Sequence, residues 1–216
     1  MKTLWTVFVT IGLLFVVASP ARALVVNCGT VSGPTELTGA SILCPQFNGP
    51  GTLQDISIAI SGTITGSLTF HNTSTTASES AMGTNTSDFS VGSLAGFTFA
   101  NPLFSANFSS GLRTISPGQT LTIQGLTGSG NATIVDTTIF SPYIGAGNFS
   151  IPISTDTLVQ FGGGGHIVSS QTTSASATAV VTYDLAPTTA PEPGSILLLS
   201  TGLAAVLATR RRGAAR

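Results

Sequence analysis

Between Leu24 and Ala190 the side chains that could do chemistry are few: Cys28 and Cys44, His71 and His166, Arg113, and seven acids. The two cysteines are an even pair lying close in sequence. In an exported chain that pattern favours a structural disulfide. A redox pair would have C-x-x-C spacing, and a metal site would need further Cys or His nearby. Closing a loop of this size stabilises a fold by roughly 3 kcal/mol in the chain-entropy model, and here it would pin the segment just after Leu24. His166 follows Gly162-Gly163-Gly164-Gly165, a run that reads as a flexible connection more readily than as a ligand loop. Gly128-Ser129-Gly130 lacks the Gly-Lys-Ser/Thr that completes a phosphate loop, and no G-x-S-x-G elbow is present. Asp55, Asp88, Asp136, Asp156 and Asp184 are oxygen ligands of the type calcium takes, but they lack EF-hand spacing, so a structural calcium has no placed site. Two of them could run glycoside hydrolysis only if the fold brought them to one cleft. The expectation is therefore no catalytic residues, no metal ligands, no cofactor and no enzymatic activity.

The termini carry more information. The last 26 residues read Pro191-Glu192-Pro193-Gly194, an apolar run from Ser195 to Thr209, then Arg210-Arg211-Arg212. The run is slightly shorter than the ~20 residues of a typical spanning helix, a deficit that bilayer thinning and snorkelling absorb. The positive-inside rule keeps the arginines on the cytoplasmic side as a membrane stop and leaves Pro191-Glu192-Pro193 on the outer face. The two prolines hold the tripeptide extended and accessible. At the other end Lys2 precedes the apolar stretch Leu4 to Ala18, and Ala21-Arg22-Ala23 is an A-x-A cleavage site. That is a signal peptide, so the mature chain begins at Leu24.

The tail resembles the PEP-CTERM sorting signal of Gram-negative bacteria on its tripeptide, apolar run and arginine cluster, in that order. The resemblance implies export across the inner membrane, transient anchoring there, and cutting near Pro191-Glu192-Pro193 by an exosortase-type enzyme after signal peptidase has acted. A plain C-terminal anchor flanked by prolines is the alternative reading of the same residues.

Both apolar termini inflate the mean hydropathy of +0.44, and they also hide the charge of the body. Six of the seven basic residues lie in the two signals. Between residues 24 and 190, Arg113 stands alone against Glu36, Asp55, Glu79, Asp88, Asp136, Asp156 and Asp184, a net of −6. Neutralising phosphates needs basic clusters, so nucleic acid is excluded as a partner. Ser, Thr, Asn and Gly solvate this body in place of charge.

The body is long enough for one domain with a core, and its apolar residues recur with period two. Leu53–Ser61 and Thr63–Asn72 read as the two strands of a hairpin turning at Ser61-Gly62. Further strands are expected at 88–94, 97–99, 103–108, 121–124, 132–140, 149–153, 158–161 and 175–184. Turn chemistry at Gly111, Pro117-Gly118, Gly125, Gly128-Ser129-Gly130, Pro142 and Gly145-Ala146-Gly147 separates them. Thr73 to Thr86 reads as a long exposed loop. The expected architecture is all-β: a single antiparallel β-sandwich of Greek-key or jelly-roll type, residues 24–185. It is flanked by a signal peptide (1–23), a stiff stalk (186–190) and a sorting segment with a transmembrane helix (191–216). A parallel β-helix would need a fixed repeat, and none is visible.

Pro45-Gln46-Phe47-Asn48-Gly49-Pro50-Gly51-Thr52-Leu53 with Ile58 to Ser67, and later Leu158 to Gly164 and Ala177 to Tyr183, is similar to a choice-of-anchor domain of the E group. That resemblance implies a β-rich surface domain with interchangeable anchors and supplies no catalytic residues. PEP-CTERM proteins are associated with exopolysaccharide and biofilm matrices, which makes extracellular polysaccharide the implied partner. Five Asn-x-Ser/Thr triplets, at Asn72, Asn85, Asn107, Asn131 and Asn148, are glycosylation acceptors in form. The function class expected is a non-enzymatic surface or matrix protein. The alternative is a carbohydrate-binding module that stays anchored, and it is weakened by the absence of Trp from the body and by the presence of only two tyrosines, Tyr143 and Tyr183.

Overall fold

The structure, a computed structural model, describes residues 22–136, 138–187 and 201–202. The chain divides into two units, Ala23–Leu185 and a second made of Met1–Arg22 with Ala186–Arg216. Nearly all of the second unit lies outside the described residues, and with it the expected signal peptide, most of the expected stalk and the expected transmembrane helix. Among the described residues no helix is long and apolar enough to cross a membrane.

The unit Ala23–Leu185 is all-β. Its strands are β1 (Arg22–Pro34), β2 (Ala40–Pro45), β3 (Leu53–Asn72), β4 (Glu79–Val91), β5 (Phe104–Ser109), β6 (Arg113–Ile115), β7 (Thr120–Asp136), β8 (Asn148–Gly163) and β9 (Ile167–Leu185), with a 3-10 turn at Ser141–Tyr143. They form two antiparallel sheets. The first has the order β1-β9-β3-β7; the second has the order β2-β8-β4-β5, with β6 pairing on β4. Residues from both sheets form one apolar cluster.

β3 shows why the sheets hold together. Ile56, Ile58, Ile60, Ile64, Leu68 and Phe70 all have even numbers and all are buried. The odd positions between them are mostly Ser and Thr and face outward. Side chains alternate across a strand, so this parity puts every large apolar group on one face. β3 is the central strand: Ile58 lies opposite Ile134 of β7 on one side and Val181 of β9 on the other. Fully burying each such side chain contributes roughly 1.5–3 kcal/mol.

The structure corrects the sequence reading at four places. Ser61-Gly62 is not a turn. β3 is one continuous strand of 20 residues, and Gly62 sits in its middle opposite Gly130 of β7 and Ala177 of β9. The parity of the apolar residues runs unbroken through Gly62, which was the signal for a single strand. Likewise the stretch 121–124 and the first part of 132–140 fuse into β7, which ends at Asp136 with 138–140 irregular, and 149–153 and 158–161 fuse into β8. Gly125, with φ +69°, forms not a turn but a bulge. The β3–β7 register jumps there, from Gly66↔Leu126 to Leu68↔Ile123, and a left-handed residue in a bulged strand suits glycine. Third, the expected loop 73–86 is half strand, since β4 begins at Glu79 and lies inside the second sheet. Its inward positions include Ala81, Asn85 and Ser87, which are too small or too polar to betray a buried strand. Their polar atoms are satisfied internally: the Asn85 amide donates to Gln171 and Ser87 bonds the Thr157 hydroxyl at 2.8 Å. The strand expected at 97–99 is irregular chain, and β1 and β2 carried no sequence prediction.

The remaining inward glycines set the distance between the sheets. Phe89 of β4 and Phe104 of β5 stack with ring centroids 4.9 Å apart. A Cβ on Gly62 would come within 2.6 Å of Phe89, and one on Gly130 within 2.7 Å of Phe104. The cross-strand glycine pair is the floor on which these rings lie.

Candidate functional site

Cys28 and Cys44 form the expected disulfide, with a Cα–Cα distance of 4.4 Å. Cys28 belongs to β1, the edge of the first sheet, and Cys44 to β2, the edge of the second. The bond therefore clamps one sheet to the other along one side, and Cys44 is completely buried. Replacing both cysteines by Ala should lower the unfolding free energy by about 3 kcal/mol. Denaturant unfolding of the pair-deleted variant, compared with wild type under oxidising conditions, measures it; an unchanged midpoint would mean that the clamp contributes nothing.

Beside this clamp Tyr183, fully buried on β9, donates from its hydroxyl to the Pro45 carbonyl at 2.6 Å and packs against Phe47. Tyr143 donates to the Ala95 carbonyl at 2.6 Å and meets Phe97 and Phe149 edge-on. Burial pushes the Tyr183 hydroxyl up to about 12, with Tyr143 adding to the shift. Burial, and secondarily the Asp136 carboxylate, does the same to Tyr143, also to about 12. An unfolded tyrosine ionises near 10. Each folded hydroxyl keeps its proton longer, so its contribution is complete below about pH 10 and is lost as pH rises through about 12. The loss is roughly 2 kcal/mol for each tyrosine. With two tyrosines in the chain, tyrosinate absorbance should stay flat through pH 11 and rise together with alkaline unfolding; ordinary titration centred on 10 would contradict this packing. Both rings are interior, so neither can serve as a sugar-stacking platform.

The other candidates of the sequence fall apart spatially. His71 lies on the outer face of β3, its Nδ1 2.9 Å from the Thr120 hydroxyl. His166 is exposed in the turn joining β8 to β9, where Ile167 N–H donates to the Gly164 carbonyl. The glycine run is a connection only in its second half: Gly162 and Gly163 end β8, paired with Met82 and Ala81 of β4, and Gly164 and Gly165 form the turn. Among the described residues no three His, Cys, Asp or Glu side chains come together as a metal set. Asp136 is buried and accepts hydrogen bonds from Thr138 and the Ile139 N–H, closing its own turn.

The remaining aspartates pair in a way the sequence did not show. Asp55 of β3 stands directly opposite Asp184 of β9, and Asp88 of β4 opposite Asp156 of β8. Directly opposed like charges destabilise a ladder. Both pairs lie on outward faces, where water screens them, and the Ser105 hydroxyl donates to Asp88. Arg113 neutralises neither: its Nε donates to the Ser110 carbonyl.

Of the five Asn-x-Ser/Thr triplets, the fold removes two as acceptors. Asn72 and Asn85 are fully buried. The Asn72 amide donates to the Ala77 and Ile115 carbonyls, each at 2.9 Å, while its oxygen accepts from Ser74 N–H. Asn107, Asn131 and Asn148 are exposed.

The outer face of the first sheet is a field of hydroxyls. Thr65 bonds Ser174 across β3 and β9, Ser67 bonds Thr172, and Thr69 bonds Thr122 on β7. Ser32, Gly33, Thr63, Thr65, Ser174 and Ser176 line a shallow groove of about 360 Å³ there. β1 runs back along β9 from the Thr35–Thr173 contact, which brings Leu24 alongside the Asp184 end of β9. The two ends of the body therefore leave it on neighbouring strands at the same end. Ala23 is the second residue of β1 and is exposed; Ala21, Pro191, Glu192, Pro193, Arg210, Arg211 and Arg212 lie outside the described residues.

The body is all-β, in two antiparallel sheets, and it is the sequence of the tail beyond it that carries a family match. Residues 189–212 match the PEP-CTERM protein-sorting motif, which supports a PEP-CTERM protein that is exported and handled at the membrane by an exosortase-type enzyme. No curated protein matches the chain. Among solved structures it is similar to a chain of the infectious bursal disease virus Gx strain, at 12% identity over 85% of this chain and 48% of that one, with a TM-score of 0.16. It is also similar to a chain from the disulfide-linked pili of Bacillus endospore appendages, at 12% identity over 81% and 98%, with a TM-score of 0.15. The chain spans about half the length of the viral chain, and likenesses this low carry no conclusion about it.

Proposed function

We propose that this chain is a non-enzymatic surface or extracellular-matrix protein of a Gram-negative bacterium. Signal peptidase cuts after Ala23, the tail holds the chain transiently in the inner membrane, and an exosortase-type enzyme cuts near Pro191-Glu192-Pro193. The product joins an exopolysaccharide or biofilm matrix. The observation that carries this reading is the sorting motif over residues 189–212. The body agrees with it. Its ends emerge at one end, as suits a domain held at both termini during export. Its strand orders, β1-β9-β3-β7 against β2-β8-β4-β5, support a jelly-roll sandwich built from two Greek keys. A choice-of-anchor E-like body belongs to the same reading, although Ser61-Gly62-Thr63, one of the stretches behind that resemblance, is mid-strand rather than a hairpin. A second reading, an anchored carbohydrate-binding module, draws on the neutral hydroxyl groove of the first sheet, whose donors and acceptors match a polyol.

Mass-spectrometric mapping of both ends, in membrane and matrix fractions of the host, tests the proposal. A matrix product running from Leu24 to near Pro191 is expected. A membrane product still carrying Arg216 would overturn the release step and favour the anchored module.

A further inference from the structure

The side of the body clamped by the disulfide is covered along only half its length. β2 pairs with β8 from Asn148 to Ile153 and no further. The segment after β1 makes the last contacts: Thr35 N–H donates to the Thr173 carbonyl and Thr155 N–H to the Leu37 carbonyl. Beyond Thr155 on β8 and Thr173 on β9, no described residue pairs with this side of either strand. Backbone groups alternate sides along a strand, so the N–H groups of Thr157, Val159 and Phe161 point the same way as that of Thr155, outward. Two bare edges thus lie on one side of the molecule, one in each sheet, joined by the turn Gly164–His166.

The core is open between them. Thr157, Val159 and Phe161 have the parity of the buried Ile151 and Ile153, and Ile167, Ser169 and Gln171 that of the buried Ala175 and Ala177, yet none of the six is buried. Phe161 is 41% exposed although its ring contacts buried Phe70 edge-on. On the outer faces of the same two edges stand Leu158 and Val168, each 60% exposed. Native edges are ordinarily protected by Lys, Pro, bulges or inward charges. From residue 156 to 163 and from 167 to 172 there is no Lys or Pro, and the single charge is the outward Asp156.

We propose that this open side is a self-association surface, and that its occupant is the same side of a second copy. One two-fold axis normal to the sheets would join β8 to β8 and β9 to β9 of two copies, each antiparallel, in a single operation. The geometry permits it because the midpoints of the two bare stretches are level: Gln160 lies three residues before Gly163, and Ser170 three after Ile167. Pairing about Gln160 sets Val159 of one copy against Phe161 of the other, closes both open cores at once, and keeps the two Asp156 carboxylates apart. A body with net charge −6 would resist association on most of its surface, and this side has the apolar groups and little of the charge. The proposal does not depend on how the tail is processed.

The test uses the exported protein purified from its host in whichever form the host retains it. Sedimentation across a concentration series should show a dimer for wild type. Val159→Pro removes an edge-facing N–H and no β4–β8 ladder bond, and should sediment as a monomer. If that variant fails to fold, Val159→Lys, which points a charge into the open core and leaves the backbone intact, should give the same monomer. Gln160→Cys adds the sole free thiol and should yield a disulfide-linked dimer on mild oxidation. A wild type that is monomeric throughout, a dimer that survives Val159→Pro or Val159→Lys, or a Gln160→Cys dimer that does not cross-link would each overturn the proposal.

Discussion

Gly128→Ala should destabilise the folded body by about 3 kcal/mol or more, at the upper end of what overpacking costs. Gly128 lies on β7, the edge of the first sheet, where it meets β5, the edge of the second. A Cβ there would fall 2.1 Å from the Asn107 carbonyl oxygen and 2.8 Å from the Asn107 nitrogen. Those are backbone atoms, held in the β4–β5 ladder where Asn107 pairs with Thr86. They cannot rotate away as a side chain would, so the sheets must part or the ladder must shift. Gly62→Ala meets ring atoms of Phe89 and Phe104 instead; these can tilt, and the expected cost is about 1–3 kcal/mol. Gly165→Ala, with nothing within 4 Å of its Cβ, is the control and should be near neutral. A typical domain has ~5–15 kcal/mol in all, so Gly128→Ala should be visible as a large fall in denaturant midpoint. Equal midpoints for Gly128→Ala and Gly165→Ala would show that the two edges do not approach as described.

Glu192→Ala, or deletion of Arg210 to Arg212, should convert maturation from nearly complete to nearly absent, with uncleaved or mislocalised precursor accumulating. Glu192 is the only acid after Asp184, so its removal keeps both prolines of the tripeptide while erasing its one carboxylate. The arginines act differently. Each costs roughly 2.5–3.5 kcal/mol to place at the centre of a bilayer, so in the proposed sorting the cluster would limit how far the tail passes through. Glu79→Ala, a change in the body, should mature normally. Immunoblots of membrane and matrix fractions report the outcome. Normal maturation of both tail variants would sink the sorting reading while leaving the fold untouched.

How much of this was legible depends on what each residue is asked to do. The disulfide was legible because two cysteines admit one pairing. The strand content was legible because Ile and Phe recur with period two. Strand lengths were misjudged because Gly62, Gly125, Gly128 and Gly130 resemble turn residues when read locally. β4 was missed in part because a buried strand that fills its inward positions with Ala, Gly, Asn and Ser has no apolar alternation to detect.

The sequence alone determined the all-β class, the Cys28–Cys44 bond, the charge-poor body and the sorting tail, all of which rest on residue type and short-range order. Tertiary structure alone decided that Gly62 and Gly128 are spacers between sheets and that Asn72 and Asn85 are interior supports. It also paired Asp55 with Asp184 and Asp88 with Asp156, and left one side of β8 and β9 uncovered by any described residue. Each of these depends on which strand lies opposite or across the core, a relation between residues tens of positions apart that no local pattern encodes.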